Sequence, residues 1–328
     1  MNKKYIAIIV AVVVVIGGIC FFKLKSTSLK QALKTVEKYT NYEMVCHMEM
    51  LENDELKSYQ VTSSYASFNE KDYYKVELYD KSLNQSQVIV RNDKGVFVLT
   101  PSLNQAFQFQ SEWPNNSPKP YIYQSLLSFF KDNKHEKVKD GYIVNGKMSY
   151  ENDERIQSQE VKFNKDLDPM YVHVYDGDGT EVIKLKVDSF KTNQKLNKNA
   201  FSQETIMKES KTQYKSAAAS LPLYPVALMG STLEHEKVAT IDDTTNHILK
   251  FTGDKSFTII ESSVSSNNPI NVVKVEGEMI DLVDGFAYQQ DNQMTYVSSG
   301  VVCSLYSNDL TKEEMLSVLS SMQAANVK

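Results

Sequence analysis

From residue 41 onwards, hydrophobic and polar positions alternate with a period of two, in short runs bounded by Asn, Asp, Gly, Pro or Ser. Three such runs are YEMVCHMEML at 42–51, YYKVELYD at 73–80 and GVFVLT at 95–100. This period, interrupted by turn residues, predicts β-strands joined by hairpins. No connection between the runs is long enough for a crossover helix, so parallel pairing is not expected. We predict an antiparallel meander of about ten strands that ends near residue 203.

Two amphipathic stretches predict helices beside this sheet. The first covers about 29–39, with Ser28 as its N-cap, and the second covers about 121–131 after three prolines. A helix inserted into a meander usually covers an open face of the sheet. We therefore predict a curved antiparallel half-barrel sheet with covering helices. Leu126, Phe129 and Phe130 are the predicted lid, and they face either solid core or a pocket for an acyl chain or a protein segment.

A second unit follows a polar stretch and two prolines, Pro222 and Pro225. More short strands lead to a final helix, where Thr311 and Glu314 form a capping box, and Leu316, Leu319 and Met322 are predicted on one helix face. The fold class is mainly β (α+β). The predicted parts are a signal or membrane anchor at 1–25, a half-barrel domain at 26–205, a linker at 206–220 and a small α+β domain at 221–328.

One long apolar run lies at the N-terminus, where residues 5–22 are all apolar, Gly, Tyr or Cys. Eighteen residues of helix are about 27 Å long and a bilayer core is about 30 Å thick. The apolar region of a cleaved signal peptide has only about 7–15 residues. The run predicts a transmembrane or signal helix with the large C-terminal part outside the cytoplasm. Lysines on both sides leave the orientation open by charge alone.

Cys20 closes the apolar run and is the lipidation candidate. Gly17 and Ile19 occupy positions where a lipobox has Leu and a small residue, and Phe21 and Phe22 extend the apolar run past the cysteine. These neighbours favour a retained anchor, and a lipidated Cys20 is the alternative. Either one would tether the chain to the membrane.

Charge and motifs narrow the range of functions. The net charge is −5 and the pI is about 5.7, so we predict no nucleic-acid partner. The histidines form no His-x-x-x-His pair, and Cys46 and Cys303 lack a Cys-x-x-Cys partner. Two separate buried thiols are favoured over a disulfide. The segment that starts at Asp176 has Val187 at its twelfth position, so it reads as a glycine turn and not as a calcium loop. We predict no catalytic residue, metal or cofactor.

The order of these parts resembles the LolA/LolB-like envelope lipoprotein superfamily, which includes RseB-like proteins. The similarity covers about 28–203 and is strongest at 168–203, where it rests on Pro169, Tyr171, Gly177, Gly179, Phe190 and Phe201. The second unit is similar to a small C-terminal domain of unknown function, through LYP at 223–225, Gly230 and VEG at 275–277. Together they resemble YdcC-type and GerS-type sporulation and germination lipoproteins of endospore-forming Gram-positive bacteria.

This resemblance implies a non-catalytic protein, anchored to the cell membrane or spore envelope, that binds a partner protein there. A cell-wall hydrolase is one such partner, since the GerS group assists a peptidoglycan amidase. The alternative is a carrier or sensor that binds an acyl chain or a lipoprotein in the concave face of the half-barrel.

Overall fold

The computed structural model of this chain describes residues 28–52, 55–81, 84–115, 119–148, 156–213, 221–241, 244–263, 271–298 and 301–324. Most of these residues lie in strands that form two large sheets and one small sheet. The predicted mainly β fold is confirmed. The four described α-helices are α1 Leu29–Val36, α2 Tyr123–Asp132, α3 Gln203–Gln213 and α4 Lys312–Ser320.

The strands follow one another along the chain with short connections. Those before α3 are β1 Asn41–Glu52, β2 Glu55–Phe68, β3 Lys71–Asp80, β4 Gln85–Asn92, β5 Gly95–Thr100, β6 Gln105–Phe109, β7 His135–Val138, β8 Gly141–Lys147, β9 Ser158–Asn164, β10 Pro169–Tyr175 and β11 Glu181–Thr192. Those after it are β12 Leu223–Pro225, β13 Ser231–Ile241, β14 Thr244–Gly253, β15 Phe257–Ser263, β16 Asn271–Lys274, β17 Met279–Asp281, β18 Gly285–Gln290, β19 Gln293–Ser298, β20 Val301–Tyr306 and β21 Met322–Ala324.

The first sheet has twelve strands in the order β16-β6-β5-β4-β3-β2-β1-β11-β10-β9-β8-β7, so it is open, with β16 and β7 at its edges. The eleven strands β1–β11 pair antiparallel within this sheet, as the alternating pattern predicts. The twelfth, β16, pairs parallel with β6, from Asn271 opposite Gln105 to Lys274 opposite Gln108. The expectation that parallel pairing is absent is therefore wrong at this edge, because the parallel strand comes from a remote part of the chain.

The inner face of the first sheet is the side on which the alternate residues of β1 are buried, namely Tyr42, Met44, Cys46, Met48 and Met50. Their period of two is the one that the sequence predicts. The outer face is mostly half-buried, and α3 covers it over β4 and β5. Phe201, Ile206 and Met207 pack there against Phe97 and Leu99.

The second sheet has the order β13-β14-β15-β20-β19-β18-β17. Met315, Val318 and Leu319 of α4 are buried against one of its faces. The predicted capping box of Thr311 and Glu314 is present at the start of α4. Met322 does not continue this helix as predicted. It lies in β21, which pairs with β12, since the hydrogen bonds of a strand partner replace those of another helical turn.

Candidate functional site

Helix α2 crosses the inner face of the first sheet, and its sequence explains this position. Tyr123, Leu126, Phe129 and Phe130 recur at helical spacing and are buried, while Ser128 on the other side is exposed. The stripe therefore faces the sheet. Leu126 and Phe130 are each 1% exposed and Phe129 is 8% exposed, so all three lid residues lie in the core beneath the helix.

Phe130 is held by a group of aromatic rings near the β7 edge. Its ring lies 4.4 Å from the His135 ring in a stacked arrangement, and 5.8 and 5.3 Å from those of Tyr142 and Phe163. These distances are typical of packed aromatic pairs. Phe130 therefore acts as a packing residue, and its predicted role in a ligand pocket stays a prediction.

The beginning of α2 is anchored by tyrosine hydroxyl groups. The Tyr42 hydroxyl donates to Oε1 of Gln124 at 2.9 Å and accepts from the backbone N–H of Tyr123 at 3.2 Å. The Tyr123 hydroxyl donates to the carbonyl of Leu167 at 3.0 Å. Burial raises the pKa of both phenols, so they remain protonated donors. These bonds fix the helix to β1 and to the turn before β10.

A cleft of about 490 Å³ lies beside α2. Its walls come from β3, α2, the segment before α2 and the end of β8. Its lining residues are Tyr74, Pro114, Asn115, Ile122, Gln124, Ser125, Ser128, Phe129, Asp132, Asn133, Lys147 and Met148. Seven of these twelve side chains are polar or charged. Of the three predicted lid residues, only Phe129 borders the cleft. Burial, with a smaller contribution from Asp72, raises the pKa of Tyr74 to about 12, so its hydroxyl stays neutral.

The wall between α2 and β8 is tightly built. A Cβ atom at Gly146 would lie 2.4 Å from Oδ1 of Asn133 and 3.0 Å from Cζ of Phe129. Asn133 is fixed in turn, because its Nδ2 donates to the carbonyl of Phe129 at 3.0 Å. Gly146 therefore allows the end of α2 to approach the strand closely, and this defines one end of the cleft.

The opposite end of the inner face is covered by the second sheet. Val275, Met279, Val283, Phe286, Tyr288 and Val297 all belong to the same apolar core as the inner face. The Phe286 ring lies 5.3 Å from that of Phe107 and 5.4 Å from that of Phe109. In the described residues, the concave space expected for a ligand is thus filled at this end by the protein's own side chains.

Polar contacts fasten the end of β17 and the turn after it to β2 and to the segment that precedes α2. Nζ of Lys119, fully buried, lies 3.2 Å from Oδ2 of Asp281 and donates to the carbonyl of Leu282 at 2.8 Å. The Tyr121 hydroxyl donates to the carbonyl of Val283 at 3.0 Å. Asp284 lies 3.4 Å from Nζ of Lys57 and accepts from the Tyr59 hydroxyl at 3.2 Å.

Sequence reasoning missed this set of contacts. Lysines and aspartates usually mark solvated loops, and the pattern contains no signal that Lys119 and Asp281, so distant in the chain, meet in a buried pair.

The remaining predicted sites give little chemistry. Cys46 and Cys303 are both buried and free, as favoured from the sequence. Asp176 closes the predicted glycine turn, since its Oδ1 accepts from the N–H groups of Asp178 and Thr180. Among the described residues, no three His, Cys, Asp or Glu side chains are close enough to hold a metal ion.

The predicted anchor and Cys20 lie outside the described residues. In the ranges that the structure covers, no helix has the length and apolar character needed to cross a bilayer.

Comparison with known structures gives weak similarities. An uncharacterized conserved protein from Thermus thermophilus is 15% identical, with a TM-score of 0.38, over 52% of this chain and 91% of that one. A lipoprotein-sorting protein domain from Vibrio parahaemolyticus is 13% identical, with a TM-score of 0.33, over 55% and 96%. The MucA/MucB complex of Pseudomonas aeruginosa is 12% identical, with a TM-score of 0.30, over 89% and 98%.

Comparison of sequences gives a stronger relation. No protein-family model matches the chain. The sporulation protein YdcC of Bacillus subtilis strain 168 is 29% identical over 338 residues, which cover 100% of this chain and 99% of the relative. The resemblance to YdcC-type proteins is confirmed, in that this chain is similar to the sporulation protein YdcC along its whole length.

Proposed function

We propose that this protein acts in sporulation as a non-catalytic, membrane-tethered protein outside the cytoplasm that binds a partner protein in the cell or spore envelope. The full-length relation to a sporulation protein supports the biological setting. The composition of the cleft beside α2 is the observation that supports binding of a protein segment.

The cleft combines an apolar floor with many hydrogen-bonding groups. Ile122, Phe129 and Met148 supply apolar contact, while Gln124, Ser125, Ser128, Asp132 and Asn133 line it with donors and acceptors. An acyl chain has no polar groups along its length, so burying it there would leave these groups without water or a partner. A peptide offers backbone N–H and C=O groups at every residue and suits such a lining.

The apolar part of the inner face is less available to a lipid. Its two ends are occupied by α2 and by the second sheet, whose Phe286 is fully buried. An acyl chain would have to displace these side chains and recreate their contacts. Binding of an acyl chain or a lipoprotein is therefore the second candidate function. It requires these side chains to move, whereas peptide binding in the cleft does not.

A blocked cleft tests this proposal. The full chain with Ser128→Trp carries a bulky side chain at an exposed cleft position, and Ser317→Trp is the matched control, since Ser317 lies on α4, away from the cleft. Cross-linking in sporulating cells should recover one envelope protein, a cell-wall hydrolase being the expected class, with wild type and with the control but not with the blocked variant. Purified wild-type protein that retains an acyl lipid and captures no protein would contradict the proposal and support the second candidate function.

The tether is tested separately. Mass spectrometry of the N-terminal peptide distinguishes a retained apolar run from a lipidated Cys20. A Cys20→Ala variant that still fractionates with the membrane supports the retained anchor, and release of this variant supports lipidation. Recovery of the wild-type chain in the soluble cytoplasm would contradict both.

A further inference from the structure

Glu261 of β15 is an acidic residue in the interior of the second sheet. Its side chain is 0% exposed. Both carboxyl oxygens accept from one group, the backbone N–H of Leu223 in β12, at 3.0 and 3.1 Å. Within the described residues this N–H is the only donor that reaches the carboxyl group. A buried carboxylate normally needs several donors or a cation to compensate for the loss of water.

Among the described residues, no side chain of the neighbouring strands forms an ion pair with Glu261. His247 of β14 and Cys303 of β20 are its cross-strand neighbours. Glu236 of β13 faces it with a second negative charge and accepts from the Tyr224 hydroxyl of β12 at 2.9 Å. Burial keeps the Cys303 thiol protonated by raising its pKa. The ionised form of Glu261 is therefore opposed by its surroundings.

Burial is also the largest cause of a raised pKa at Glu261. The charge of Glu236 adds to the increase and the Leu223 N–H partly offsets it, and together these causes raise the pKa of Glu261 from 4.5 to about 8. The group is thus mostly neutral in the folded chain at pH 7, and its ionisation is linked to exposure to water.

Strand β12 is the element that closes over Glu261. It has only three residues and pairs with β21, from Leu223 opposite Ala324 to Pro225 opposite Met322. In the part of the chain that the structure describes, two hydrogen bonds join β12 to the second sheet, from the Leu223 N–H to Glu261 and from the Tyr224 hydroxyl to Glu236, and only the first reaches a buried carboxyl group. Moving β12 away would admit water to the carboxyl group of Glu261. The strands of the second sheet would keep their pairing, because β12 is not one of them.

We propose that Glu261 is a proton-controlled latch, which holds β12 on the second sheet when its carboxyl group is protonated and releases β12 when that group ionises. The sign follows from linkage: the closed form binds the proton more tightly than the open form. Opening therefore becomes easier as the pH rises from about 4.5 to about 8 and changes little above that range. If the open carboxyl group is fully hydrated, the opening equilibrium rises by up to about tenfold per pH unit.

Hydrogen exchange of the full chain tests the latch. Exchange in the peptide 221–226 is measured at pH 5.5 and 7.5 and divided by the intrinsic exchange rate at each pH. Between these two pH values, we expect the opening equilibrium of this peptide to increase by up to about a hundred-fold in the wild type. The opening equilibrium of α4 in the same molecules should stay unchanged.

Two variants separate the latch from a general effect of charge. Glu261→Gln keeps the shape and cannot ionise, so the pH dependence of peptide 221–226 should disappear. Glu234→Gln makes the same charge change at an exposed residue of β13 that pairs with Lys250, so the pH dependence should remain. An unchanged pH dependence in Glu261→Gln would overturn the latch. If that variant does not fold, equal pH dependence of β12 and α4 in the wild type would overturn it as well.

Discussion

The two ends of the inner face of the first sheet are covered by different kinds of structure. Near β8, the covering element is α2, a helix that lies between β6 and β7 in the chain. Near β6, it is the second sheet, whose Phe286 packs on Phe107 and Phe109 from a remote part of the chain. The local cover is visible as an amphipathic pattern, whereas the remote cover has no local signal. The comparison predicts that damage to the remote cover affects both sheets.

The largest effect is expected for Phe286→Ala. Removing a fully buried ring costs about 3–5 kcal/mol of unfolding free energy, and here it removes contacts that join the two sheets. The protein has one tryptophan, Trp113, which is buried in the core of the first sheet. We expect the fluorescence unfolding midpoint of Trp113 to fall, although the substitution lies in the second sheet.

The control for this prediction is Phe251→Ala. Phe251 stacks on Phe257 at 4.7 Å and belongs only to the core of the second sheet. Its loss should lower the Trp113 midpoint less than the loss of Phe286 does. Equal effects of the two variants on Trp113 fluorescence would mean that Phe286 does not join the sheets.

The next effect is expected for Lys119→Met. This change removes a buried ammonium group beside Asp281 and should cost about 3 kcal/mol, since the partner carboxyl group stays buried. Lys131→Met is the local control, because Lys131 pairs with Glu37 at the surface, where such pairs contribute about 0–1 kcal/mol. Chemical denaturation gives both values. Similar losses for the two lysines would contradict the buried remote contact.

A smaller effect is expected for Tyr42→Phe, which keeps the ring and removes the hydroxyl group that anchors α2. The N–H of Tyr123 then loses its acceptor, and we expect a loss of about 1–2 kcal/mol. Tyr65→Phe, whose hydroxyl donates to Asp72 near the surface, should cost less. Hydrogen exchange in α2 is the second measurement, and unchanged exchange there would exclude the anchoring role.

The smallest effect is expected for Ser28→Ala at the start of α1. The Ser28 hydroxyl accepts from the N–H of Gln31 at 3.3 Å, and losing such a cap costs about 0.5–1 kcal/mol. Ser28→Asn should retain most of the stability. Thermal unfolding checks both, and a loss as large as that of Tyr42→Phe would mean that α1 contributes more than a local cover.

Much of the first sheet could be predicted from the sequence. The alternating residues of β1 and the stripe of α2 are local patterns, and the structure shows them on the expected faces. The cleft could be predicted only in part, since Phe129 borders it while Leu126 and Phe130 fill the core. Whether a buried aromatic ring borders a cavity depends on how several elements pack around that ring. The hydrophobic period along one helix contains no information about the packing of the other elements.

Local features of this protein follow from its sequence alone, namely the strands of period two, the apolar stripes of the helices, the caps at Ser28 and Thr311, and the similarity to a sporulation protein. Three features are visible only in the folded chain: β16 completes the first sheet, Lys119 meets Asp281, and Glu261 is covered by β12. The difference arises from the separation in sequence of the residues that interact. Periodicity and capping act between residues a few positions apart, whereas these contacts gain their energy from burial between segments that the chain separates widely.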